Sequence, residues 1–130
     1  MTAKTVGYWA TTGVVAAELL AGAVLDLTRQ PMAASVIAHL GYPAYLLTIL
    51  GVWKLLAVPA ILSPGFLRLK EWAYAGIFFE MSGAVLSHAA CSDGKALIAP
   101  LIFTALGLIS WWLRPANRVC GASGLERVHA

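Results

Sequence analysis

The stretch Arg68–Gly94, RLKEWAYAGIFFEMSGAVLSHAACSDG, decides the fold, because it places Glu80 and His88 in a run otherwise apolar enough to cross a bilayer. An ionisable side chain at that depth is costly and needs a partner. Counting from Leu69 at ~1.5 Å per residue, Glu80 falls roughly 16 Å along a helix, near the middle of a hydrocarbon core about 30 Å thick. Two other apolar segments carry a charge at matching depth, Glu18 in one and Lys54 in the other.

Composition supports the same class. The 130 residues are 60% hydrophobic and only 12% charged, with a mean hydropathy of +0.79, whereas about a quarter of a soluble domain is charged. The expected architecture is an all-α integral membrane protein, a single domain over residues 1–130 built as a four-transmembrane-helix bundle. Its spans are read at about 7–27, 43–63, 69–90 and 96–113, followed by a mobile Gly, Ser, Arg and Pro-containing tail, 114–130. A net charge of +3 gathered at segment ends speaks for orientation and against nucleic-acid binding.

Outward from the opening stretch, each segment has its punctuation. The first span does not read as a cleaved signal, because Glu18 interrupts it, it is long for such a leader, and no clear small-residue cleavage site is followed by a soluble domain. Tyr8 and Trp9 anchor its start, while Asp26 and Arg29 mark its exit. The connection Thr28–Tyr42 is long for a bundle, with Pro31 and Gly41 flanking an apolar piece suited to capping one mouth. In the second span Pro59 frees the carbonyl of Leu55, a candidate partner for Lys54. The fourth span has no ionisable residue and is expected to pack as a wall that closes on Trp111 and Trp112. Lys4, Arg68, Lys70, Arg114, Arg118 and Arg127 fall on one side and Arg29 and Lys95 on the other, which predicts both termini in the cytoplasm. Cys91 and Cys120 then lie on opposite faces and no CxxC is present, which argues against a thiol relay.

Glu18, Lys54 and Glu80 each sit about eleven residues from their helix starts, so they are expected at one level. Two carboxyls and one ammonium cannot all be charged in a dry core, so one carboxyl stays protonated or a ligand donates to it. Such a site suits proton transfer on a lipophilic substrate or hydrogen bonding to a quinone-like carbonyl; alternatively, the three only lock helix rotation. His88 lies two turns beyond Glu80 and borders the same cavity nearer the outer water, as proton relay or interfacial residue. His39, Tyr42 and Asp93 form a polar rim, and Tyr74 places a hydroxyl in lipid that calls for a partner. Two histidines without a third spaced ligand make a poor haem or copper signature, so no metal is expected.

The run HLGYPAYLLTILGVWKLLAVPAIL from His39, followed by RLKEWAYAGIFFEMSGAVLSHAACSDG, resembles the DoxX-like family of small four-helix bacterial membrane proteins over His39–Gly94. Its most specific parts are the WK pair, the KEWAYAG run and the SH near the third helix end. The resemblance implies a four-helix bundle in the bacterial inner membrane, with Lys54, Glu71, Glu80 and His88 at motif positions. It also implies an association with thiosulfate:quinone oxidoreductase and other membrane redox systems, while distant relatives of the sterol-isomerase kind use intramembrane acids and bases. Two functions follow as expectations. One is an accessory subunit holding a quinone or similar lipophilic molecule beside a redox partner protein. The other is a small isomerase or cyclase, with Glu80 as acid or base and Glu18 or His88 as proton partner. Membrane lipid surrounds either, and a homodimer is compatible with so small a bundle.

Overall fold

The computed structural model describes residues 1–121 and contains five α-helices. These are α1 (Ala3–Leu27), α2 (Pro31–His39), α3 (Tyr45–Leu62), α4 (Leu67–Ala90) and α5 (Ile98–Trp112), followed by a short 3₁₀ turn at Ala116–Arg118. The four longer helices form a ring in which α1 packs on α3 and α5, and α4 on the same two. Helix α2 leans on α1 and α3 across one end. By length and composition, α1 and α3 suffice to cross a bilayer, whereas α5 has only 15 residues and α4 carries more charge.

Local signals account for the boundaries. Thr2 caps α1 by accepting the Thr5 amide on its hydroxyl, and Pro31 opens α2 at a position where a missing N–H costs nothing. Phe66 takes a left-handed backbone (φ 57°), which turns the chain sharply between α3 and α4. The connection read as a mouth cap is thus a two-and-a-half-turn helix, because MAASVIA has no breaker between Pro31 and Gly41.

The core is unusually polar and the exterior unusually apolar. Val15, Leu19, Ile61, Ile77 and Met81 pack together inside, but so does a hydroxyl cluster in which Ser110 bonds Thr12 (2.7 Å) and Tyr74 (2.8 Å), joining α1, α4 and α5. Leu56, Trp72, Phe79 and Leu86, by contrast, face outward. In water such a surface would aggregate; in lipid it is the solvated one. Helices α1 and α3 approach closely at Gly51, where an added Cβ would stand 2.7 Å from Leu27 Cγ and 3.2 Å from Asp26 Cβ. This contact sets their register, and Lys54, one turn further on, consequently meets α1 at Gly22.

The chain after α5 departs from expectation. Arg114 and Arg118 are buried rather than part of a loose tail. Arg114 pairs with Glu71 and lies over the rings of Tyr74 and Trp111, while Arg118 lies over Tyr8 and Trp9 and donates to the Leu62 carbonyl at 3.1 Å. The expected mobility of 122–130 concerns residues outside those described. Lys70, counted among the charges of the cytoplasmic side, is fully buried. Its Nζ donates to the carbonyls of Ala60 (3.0 Å), Ile61 (2.9 Å) and Ser63 (2.8 Å), satisfying acceptors that the end of α3 leaves free before Pro64.

Candidate functional site

Helices α1, α3 and α4 bring their charges together in the half of the bundle covered by α2. Lys54 Nζ stands 2.9 Å from Asp26 Oδ2 and 3.3 Å from Glu80 Oε1. The lysine side chain is 12% exposed, so both contacts operate where water screens little. Glu18 faces the same ammonium: a Cβ on Gly22 would lie 3.0 Å from Lys54 Nζ and 3.4 Å from Glu18 Oε1. Among the described residues Glu18 has no hydrogen bond or ion pair of its own.

Two expectations are corrected here. Asp26 does not mark a wet exit from the first helix; it is 7% exposed and provides the closest contact to Lys54. Lys54 in turn is held by carboxylates, not by the carbonyl that Pro59 frees. Both follow from register, since the lysine stem spans the single turn between Gly51, packed on Asp26, and its own position. The detectable signal was one of spacing: Gly22 and Asp26 share a face of α1, and Gly51 and Lys54 a face of α3.

These charges line a half-open cavity of about 710 Å³ to which every helix contributes, a volume in the range of small-molecule sites. Its walls are apolar, including Met32 and Val36 of α2, Leu46 and Leu50 of α3, and Phe103 of α5. Helix α5 is therefore more than a wall, since Ala99, Pro100 and Phe103 shape the cavity. Tyr42 and His88 line it too. Tyr74 does not: it belongs to the hydroxyl cluster with Ser110 and borders a second, smaller cavity near Glu71 and Trp111.

Of the three residues expected to form a rim, Tyr42 lines the cavity and His39 and Asp93 do not; those two bond each other beside it. His39 Nε2 and Asp93 Oδ2 are 2.6 Å apart, linking the end of α2 to the turn after α4, and Tyr42 bonds Ser87 at 2.8 Å. His88 Nδ1 approaches the same Asp93 oxygen to 3.5 Å, in an alignment too poor for a hydrogen bond, and is buried without another partner among the described residues. The His39 hydrogen bond holds the Asp93 carboxyl below its ordinary 3.8, with desolvation opposing and His88 assisting. A carboxyl lowered on folding stabilises above its unfolded value and loses that contribution as pH falls through its folded one. The α2 clasp should accordingly persist at pH 6 and open below 3.8. Asp93→Asn at pH 6 is expected to speed hydrogen exchange of the α2 amides severalfold while leaving α3 unaffected; unchanged protection in α2 would mean that the clasp does not hold it.

Among the described residues no three His, Cys, Asp or Glu side chains are arranged to hold a metal ion. A helical membrane bundle with a charged cluster lining a half-open cavity is the class that this fold and site define. The profile of the DoxX-like family matches residues 10–110, which include the whole cluster and its rim, and the chain belongs to that family. No curated protein and no solved structure shows a significant match.

Proposed function

We propose that the protein crosses the bacterial inner membrane four times, with both termini in the cytoplasm, and holds a lipophilic small molecule in the cavity beneath α2. The single observation that carries this reading is the combination of about 710 Å³ of mostly apolar space with Lys54, Asp26, Glu80 and Glu18 in its lining. An apolar body fits the walls and a polar head meets the charges. Four spans are supported by the ring of four helices, and the orientation by Lys70, Arg114 and Arg118, which gather with Tyr8 at the end away from α2.

In the first form of the reading, a quinone occupies the site and the protein serves a redox partner, with Lys54 or a protonated carboxyl bonding a quinone carbonyl. A second form is favoured by one observation, that Glu18 lines the cavity together with Glu80 and has no ion pair of its own among the described residues: the two carboxyls can take and return a proton on the occupant, as an isomerase or cyclase requires, with His88 as a further proton partner. Mass spectrometry of the protein purified from native membranes tests the common claim. A small apolar molecule should be retained in near-stoichiometric amount and be lost from Glu80→Gln, which still assembles because Asp26 keeps Lys54 paired. If nothing but bulk lipid is retained by either protein, the reading is wrong. Conversion of the retained molecule by wild type alone would select the enzyme.

A further inference from the structure

We infer that the part of the cavity lined by Tyr42 and His88 receives a hydroxyl group of the occupant, which is therefore a lipophilic alcohol or phenol; this rests on the cavity reading above and names the class of molecule it takes. The site lies apart from the charged cluster, because His88 follows Glu80 by eight residues, about 12 Å along the axis of α4. Whatever the charges around Lys54 hold is a second polar anchor. Each hydroxyl proton here can be assigned. Ser87 Oγ donates its only proton to the Gly83 carbonyl at 2.8 Å, so in the bond between Tyr42 and Ser87, also 2.8 Å, the tyrosine is the donor. Both protons are then spent, and Tyr42 offers the cavity only oxygen lone pairs.

His88 resolves in the same sense. It is 8% exposed and lines the cavity. Its Nδ1 is enclosed and faces Asp93 Oδ2 at 3.5 Å, on the side away from the cavity lining. Asp93 is a carboxylate at neutral pH, since the His39 hydrogen bond holds it below 3.8. A lone pair aimed at an anion is repelled, so Nδ1 carries the ring proton and Nε2 keeps the lone pair. Nε2 makes no hydrogen bond among the described residues and, unlike Nδ1, is not enclosed, so it opens on the cavity that the ring lines. Asp93 acts as a positioning residue that fixes this tautomer, and His39, on the same oxygen, holds Asp93 in place. Two acceptors and no side-chain donor are complementary to an O–H, and they reject an ether or ketone oxygen, which would meet lone pairs. Met32, Val36 and Leu46 supply apolar surface for the hydrocarbon body.

Calorimetric titration of the purified full-length protein with dodecanol and with methyl undecyl ether, chains of equal length, tests the assignment. Dodecanol should bind about fivefold more tightly, the amount one neutral hydrogen bond contributes. In His88→Phe, which fills the space but offers no acceptor, the preference should fall below about twofold. Nitrogen NMR of labelled histidine gives an independent readout. His88 should be protonated at Nδ1, its Nε2 resonance should move with dodecanol and not with the ether, and Asp93→Asn should mix the two tautomers. Equal binding of alcohol and ether in wild type overturns the inference and leaves the cavity reading standing. So does a preference that persists in His88→Phe, which would seat the hydroxyl elsewhere, or a His88 protonated at Nε2. Failure of both probes to bind removes the cavity reading and this inference with it. Should His88→Phe not fold, the wild-type comparison and the Nε2 resonance decide.

Discussion

Lys54→Met is expected to destabilise the bundle by about 3–5 kcal/mol, the usual result of removing one member of a buried ionic cluster. Methionine fills nearly the same volume, so the loss would not come from a cavity. It comes from leaving Asp26, Glu80 and Glu18 facing one another without the ammonium that stands 2.9 Å from the first and 3.3 Å from the second. The effect should be reversed in large part by adding Asp26→Asn and Glu80→Gln, which remove the charges left behind. Unfolding monitored in detergent mixtures gives the comparison; a single Lys54→Met variant as stable as wild type would show that the lysine is not paired inside.

Lys70→Met should rank next, at about 2–4 kcal/mol, because three carbonyls at the end of α3 lose their donor together. Arg118 remains on Leu62 and limits the damage. The loss should be local, with faster exchange at the α3–α4 turn than at the Lys54 end of the bundle. A change under about 1 kcal/mol would mean that other donors replace the ammonium without cost.

These two lysines show what the sequence makes legible and what it hides. Lys54 and Glu80 could be matched because an isolated charge inside an apolar run must find another, and depth along antiparallel helices is simple arithmetic. Asp26 escaped because depth alone misleads for a long side chain: lysine reaches a full turn beyond its own Cα, and the residue near a helix end looked wet. Lys70, Arg114 and Arg118 escaped for a related reason. Basic residues flanking apolar runs ordinarily report orientation, and nothing in the composition of the segment after Trp112 says that its arginines fold back over Tyr8, Trp9, Tyr74 and Trp111. The rim was partly readable. The sequence places His39, Tyr42 and Asp93 near one mouth, but only Tyr42 lines the cavity, and the His39–Asp93 contact depends on α2 being a helix, whose last residue then lands beside the turn after α4. Tyr74 shows the opposite outcome: its need for a partner is evident from the sequence, yet Ser110, a small residue in the span without ionisable groups, supplies it away from the cavity.

A double-mutant cycle on Lys54→Met and Glu80→Gln, read by unfolding free energy, tests most directly whether opposite charges from different helices meet inside this bundle. Direct contact predicts a coupling of at least about 1.5 kcal/mol, with the double variant more stable than Lys54→Met alone. Effects that add to within about 0.5 kcal/mol would place the two side chains apart and contradict the site.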